Sequence, residues 1–310
     1  MNLETSYRLF SKTYSNEDVA RKAQLFKKAP IKEMIRRNWI SGSDDLDALE
    51  ESVLRFFEID SLDEEPQIMP HAAKKSTSYG SATPAQVAWL YRAKKIARAV
   101  QASKFTEKSF LEIQKKLRQL LLNPEDVRHV PKTLAEGGIR LLLIEQLPQT
   151  KVDGICFWLD EYSPVIALAL RYDRLDHFWY LLGHECGHVK RKDGLHGSPY
   201  LDINLVGDGP VSSDDKPEAE IEADNFAQNF LVDQGRIDKF INRVRPLYSK
   251  QKIRNFALSI GVHPAIVLGQ LQHRGEFDWS HSREMLVKVR DSMISSAVTD
   301  GWGHTLPAVA

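Results

Sequence analysis

The sequence predicts an α+β fold: mainly helical, with a small β-sheet packed on a pair of helices and an extra helical region at the N-terminus. Three observations lead there. Apolar residues recur three and four apart through most of the chain, the signature of amphipathic helices. That period breaks once, at residues 139–171, where short apolar runs rich in Ile, Val, Leu and aromatics read as three strands. The chain has 310 residues, 42% hydrophobic and 27% charged, which suits a soluble protein with a sizeable core.

The elements follow in order. "YSNEDVARKAQLFKKA" opens with Ser15 and Asp18 at capping-box spacing. "PIKEMIRRNWI" has Pro30 suited to a first turn and Ile31, Ile35 and Trp39 on one face. "DLDALEESVLRFFEI" is a third amphipathic helix, completing an N-terminal region of residues 1–66. Residues 67–83 are small, polar and punctuated by Pro and Gly, and read as a linker. The main domain is expected over 84–275. It starts with helices at about 85–102 and 106–122, the second opened by Thr106. Strands are expected at 139–147, 153–160 and 164–171. A helix then runs to about Lys192, with Asp173 or Asp176 as its cap and Gly194 and Gly197 ending it. A polar segment, 193–216, leads to an acidic helix behind Pro217. Two short helices flank Gly261, and 276–310 is a last helix and tail.

Formal net charge is zero, so no global field points to nucleic acid or an anionic membrane. Charge is nevertheless segregated. Residues 42–66 hold ten acids against Arg55, and residues 91–118 hold nine Lys/Arg against Glu107 and Glu112. These read as solvated helix faces or a docking surface. Two cysteines, Cys156 and Cys186, are too few for a disulfide framework and suit a reducing compartment. No secretory signal and no membrane-spanning run is present, so a cytoplasmic protein is expected.

The chemistry concentrates in "HFWYLLGHECGHVKRKDG". His184-Glu185-Cys186-Gly187-His188 reads H-E-x-x-H. On a helix, positions i and i+4 share a face, so both imidazoles can reach one ion. Glu185, rotated by about 100°, can sit beside the ion as a general base rather than on it. Zinc needs a third protein ligand, and the acidic helix offers Glu218, Glu220, Glu222 and Asp224. Glu220 and Asp224 share a face, giving one carboxylate for the metal and another to hold a ligand histidine. Gly187 permits close packing beside His188. Cys186 should point away from the metal, and Phe226 and Phe230 should pack the core.

"PVIALALRYDRLDHFWYLLGHECGHV" followed by "EIEADNFAQNFLV" resembles the ImmA/IrrE family of zinc metallopeptidases, in the subgroup associated with Xre-type helix-turn-helix antitoxins and repressors. The resemblance covers about 85–275, and "KAPIKEMIRRNWI" matches weakly a segment that precedes the peptidase in longer members. It implies a zincin-like core and a Zn2+ cofactor. His184, His188 and Glu220 map to the ligands, with Glu222 the competing third. Glu185 maps to the base and Asp224 to the acid behind a histidine. It further implies cleavage of a specific regulatory protein, an Xre-type helix-turn-helix repressor or antitoxin. The alternative is a non-catalytic zinc-containing regulator. Tyr172, His177, His196 and Tyr200 are candidate donors to the transition state, although His177 lies about 10 Å along the helix from His184 and is better placed to pack. Segment 193–216, between the two motifs, is a candidate lid. Two departures stand out. The family often has Pro where this chain has Asp233, and residues 1–66 contain no recognisable DNA-binding helix-turn-helix, so direct DNA binding is not evident.

Overall fold

A computed structural model describes residues 15–64, 66, 82–195, 201–203 and 216–305. These fall into two compact units whose boundary lies between Lys94 and Lys95. That is eleven residues beyond the start expected for the main domain. The expected linker lies almost wholly outside the described residues.

The first unit contains α1 (Asn16–Lys28), α2 (Ile31–Arg36), α3 (Leu46–Phe57) and the turns through Lys94 of α4 (Pro84–Ala99). Ser15 caps α1 in both directions. Its hydroxyl accepts from the Asp18 amide at 3.1 Å, and the Asp18 carboxylate accepts from the Ser15 amide at 3.1 Å. Asp45 caps α3 through the Asp47 amide. The helices bury an apolar face built from Leu25, Met34, Leu49 and Val53, closed by aromatic contacts. Trp39 stacks on Phe56 at 6.1 Å, and Phe57 meets Tyr91 edge-on at 5.2 Å.

The second unit is the α+β part. Helix α5 (Glu107–Gln119) opens on a capping box between Thr106 and Ser109. A 3₁₀ turn (Pro124–His129) and α6 (Val130–Glu136) follow, where the sequence reading assigned no element. Pro131 in the first turn and Gly137 just past the end are start and stop signals for it, but seven residues are too few to show a helical period. Strands β1 (Arg140–Leu143), β2 (Val152–Trp158) and β3 (Pro164–Leu168) are the three expected. Two more join them: β4 (Leu201–Ile203), inside the segment read as polar loop, and β5 (Val298–Thr299), inside the segment read as tail. The order is β4-β2-β3-β1-β5. The sheet is mixed, β1 running parallel to β3 and β5, and β2 antiparallel to β3 and β4. Both new strands have two or three residues, too few to show a period of two.

Helix α7 (Leu175–Arg191) lies against β2 and β3. Fourteen of its seventeen residues are buried, so it is a core helix rather than an amphipathic one. Phe178, Trp179 and Leu182 join Cys156, Ile166 and Leu168 of the sheet in one apolar cluster. Neither Asp173 nor Asp176 caps α7, contrary to expectation; the N-cap is Arg174, with no side-chain bond. Asp173 instead accepts from the amides of Val289 and Arg290, both at 2.8 Å, and so caps α12, the short helix Arg290–Ile294. Asp176 is taken by Arg174, at 3.1 and 2.6 Å. At its other end α7 stops on Lys192 in the left-handed conformation (φ 61°).

Helix α8 (Glu218–Leu231) packs along α7, and α9 (Gln234–Val244), α10 (Lys250–Ser259) and α11 (Pro264–His273) close the core. Gly261, at φ 73°, turns α10 into α11. Among the described residues no helix is long and apolar enough to cross a membrane.

A candidate metal centre between two helices

The site depends first on how closely α7 and α8 approach. Gly183 and Gly187 form one small-residue pair, Ala223 and Ala227 the other. A Cβ on Gly183 would stand 3.1 Å from the Ala227 Cα, and one on Gly187 only 2.8 Å from the Ala223 Cα. The register is antiparallel, 183 to 227 and 187 to 223. With the helices this close, His184 reaches Asp224, and His188 reaches Glu220, each three residues before the alanine that meets the neighbouring glycine.

There the side chains converge. His184, His188 and Glu220 are all buried, with ligand-type atoms within 4.8 Å of one another. The two histidine Nε2 atoms are 3.0 Å apart. Glu220 places Oε2 at 3.3 Å from His184 Nε2 and Oε1 at 3.5 Å from His188 Nε2. Three ligands around a tetrahedral ion at ~2.0–2.2 Å stand ~3.3 Å apart. The observed separations bracket that value.

Protonation points the same way. His184 Nδ1 lies 2.9 Å from Asp224 Oδ1, and His188 Nδ1 lies 2.9 Å from Asp193 Oδ2. A carboxylate oxygen accepts, so each Nδ1 carries a hydrogen and each Nε2 is turned toward the other histidine and toward Glu220. Two imidazole nitrogens and a carboxylate, all groups that bind metal ions, thus converge in a buried space. The donor set fits a metal ion, and the group could hold one.

Asp224 is itself held in place. Tyr180 donates to Oδ1 at 2.7 Å, and Lys216 donates to Oδ2 at 2.7 Å. Burial pushes the Asp224 carboxyl pKa up, but His184 and the Lys216 ammonium outweigh it and hold it well below the usual carboxylate range. Asp224 is thus an ionised acceptor, the state that orients an imidazole.

Glu185 is fully buried and lies against β2 at Gly154. A Cβ on residue 154 would be 2.3 Å from Glu185 Oε1, so a larger residue there would push that carboxylate from its present place. Gly154 pairs with Leu168 and Asp202, next to a bulge between Val152 and Gly154 in the β2–β4 ladder.

Glu222, His177 and Tyr172 make other contacts. Glu222, the competing third ligand, is half exposed and forms an ion pair with Arg191; it sits two positions from Glu220, on another face of α8. His177 packs edge-on against Tyr172 at 5.0 Å and faces Trp279 at 6.4 Å. Tyr172 also lies under the Arg171 guanidinium. His196 and Tyr200, like most of the candidate lid, fall outside the described residues. Cys186 is a buried thiol whose pKa is pushed up by burial and then by the Glu185 charge. Phe230 is buried, and Phe226 stacks on it at 6.2 Å.

Four contributors escaped the sequence reading: Asp193, Tyr180, Lys216 and Gly154. Asp193 had a local signal, since it sits just past the helix end, five residues after His188. Tyr180 had one too, since it lies four residues before His184 on the same helix; Lys216 and Gly154 reach the site through tertiary packing. Compared with known proteins, the chain matches no family model, no curated protein and no solved structure.

Proposed function

We propose that the chain is a zinc-dependent endopeptidase that cuts a specific regulatory protein, a helix-turn-helix repressor or antitoxin of the Xre type. The observation that carries this reading is the buried triad His184, His188 and Glu220 with Glu185 next in the helix to His184. Two imidazoles and one carboxylate suit zinc and leave a position for substrate, as catalytic rather than structural zinc sites do. The resemblance of the two motifs to the ImmA/IrrE family supplies the substrate class.

In this reading His184, His188 and Glu220 hold the ion, which supplies Lewis acidity toward a peptide carbonyl and an attacking water. Asp224 and Asp193 keep both histidines in the tautomer that presents Nε2. Glu185 takes a proton from the attacking water and returns it to the leaving amine, so the base is restored at the end of each cycle. Gly154 leaves the space in which that carboxylate stands.

The test is metal analysis of the purified protein together with co-expression alongside helix-turn-helix regulators of the same genome. Wild type should carry stoichiometric zinc and cleave one regulator at one bond. Glu185→Gln should keep the zinc and lose cleavage by at least ~100-fold, the scale of a positioned general base. Stoichiometric iron, or equal cleavage by the variant, overturns the proposal.

A further inference from the structure

Both histidines of the triad are backed by a carboxylate, but the two carboxylates are fixed by different means. Asp224 is set by its place on α8. Asp193 lies beyond the end of α7, where a free chain would let it drift. Three contacts prevent that. The left-handed turn at Lys192 folds the chain back, and the Asp193 amide donates to the His188 carbonyl at 3.0 Å. The Asp193 carbonyl accepts from the Trp158 indole of β2 at 3.0 Å. The carboxylate Oδ2 accepts from His188 Nδ1 at 2.9 Å and from Arg191 Nε at 3.1 Å. Arg191 is in turn paired through Nη1 with Glu222 of α8.

We infer that Asp193 is the positioning residue for His188, and that Glu222 serves it at one remove by holding Arg191. The inference rests on the metal-centre reading above. It gives Glu222 a place in the site without making it a ligand. It also explains why α7 ends where it does: one more helical turn would carry residue 193 past His188 instead of back beside it. His184 and His188 are then treated alike, each imidazole held by an anion whose second partner is a cation, Lys216 in one case and Arg191 in the other.

The test uses the full chain with ¹⁵N-labelled histidine and a competition titration with zinc. In the metal-free wild type, His184 and His188 should both show the Nδ1–H tautomer. Asp193→Ala should move His188 toward the Nε2–H tautomer, leave His184 unchanged, and weaken zinc binding about 10–100-fold. Asp193→Asn keeps the shape and an acceptor oxygen, and should fall between the two. Glu222→Ala should weaken zinc binding less than Asp193→Ala does. An unchanged His188 tautomer in Asp193→Ala, with zinc affinity within about two-fold of wild type, overturns the inference. So does a Glu222→Ala protein that loses zinc as completely as His188→Ala. If the wild type binds no zinc, the metal-centre reading fails, and the tautomer measurement still decides the claim about Asp193.

Discussion

The N-terminal unit and the seam between α7 and α8 fill their interiors with opposite materials. In the first, the interior is mainly Leu25, Met34, Leu49, Val53 and the aromatic group around Phe56 and Phe57, with one buried charge, Arg37, paired to Glu33. In the second, His184, Glu185, His188, Glu220 and Asp224 are buried, and the residues that let the helices meet are glycine and alanine. Burying large apolar groups stabilises a fold by roughly 1.5–3 kcal/mol each. Burying ionisable groups costs free energy unless every one is paired. The seam is therefore costlier to bury than the apolar cluster around it, and the pairs His184–Asp224 and His188–Asp193 offset part of that cost.

The largest expected effect separates stability from metal binding. Phe57, fully buried, should cost ~3–5 kcal/mol when cut to Ala, with metal content per folded molecule unchanged. His188→Ala should abolish stoichiometric metal binding and leave the Asp193 carboxylate without its imidazole. Urea unfolding with parallel metal analysis reads both quantities. A Phe57→Ala protein that folds but has lost its metal would break the comparison.

Next in size is the small-residue contact. Gly187→Ala sets a Cβ 2.8 Å from the Ala223 Cα, a backbone obstacle that can yield only if the helices part. The expected cost is ~1–3 kcal/mol, with weaker metal binding because Glu220 moves away with α8. In the first unit, Gly42→Ala meets only the Ile35 side chain, at 3.1 Å. A side chain can turn aside, so Gly42→Ala should stay within ~0.5 kcal/mol of wild type, the range of substitutions that disturb no buried feature. Equal losses at the two glycines would show that the seam is no tighter than ordinary packing.

Smaller still is a contrast in acid. Burial pushes the pKa of both Glu33 and Asp224 up, but Arg36 and Arg37 outweigh it for the first, and His184 and Lys216 for the second. Both end below their ordinary values, so each contributes stability that is fully present above the unfolded carboxylate pKa, near ~4, and is lost as pH falls through the folded value. Asp224 is depressed far further. In metal-free protein, the stability difference between wild type and Asp224→Asn should thus survive to lower pH than that between wild type and Glu33→Gln. Unfolding midpoints across an acid series check this. Simultaneous loss of both differences would mean that Asp224 is no more tightly held than a surface acid.

The same contrast explains what could be read from sequence. The helices of the first unit announce themselves through apolar spacing and caps, because local rules and tertiary packing agree there. His184, Glu185 and His188 were legible because one helix carries all three. Glu220 and Asp224 were legible as a pair on a second helix, although only the α7–α8 register brings them to the histidines. Asp193 had only the weak signal of its place five residues after His188, since its contact with that imidazole depends on a left-handed turn at Lys192, a residue that rarely adopts one. Gly154 was hidden because a glycine in a strand does not say what approaches it. Strands β4 and β5 were too short for any pattern, and β5 reaches β1 from more than 150 residues away.

The smallest effect asks whether the two units differ anywhere besides the seam. Ser15 in one and Thr106 in the other are both N-caps with reciprocal partners, Asp18 and Ser109. Each hydroxyl satisfies an amide that the helix leaves open, so Ser15→Ala and Thr106→Ala should each cost ~0.5–2 kcal/mol, toward the lower end where the cap is exposed. Ser109 makes one bond more, donating to the Gly137 carbonyl at 2.9 Å, so Ser109→Ala should cost more than Thr106→Ala, by about the worth of one neutral hydrogen bond, ~1 kcal/mol. None of the three should alter metal binding, because no cap touches the triad or its carboxylates. A cap variant that changed metal binding would mean that the candidate metal centre feels the whole second unit rather than the α7–α8 seam alone.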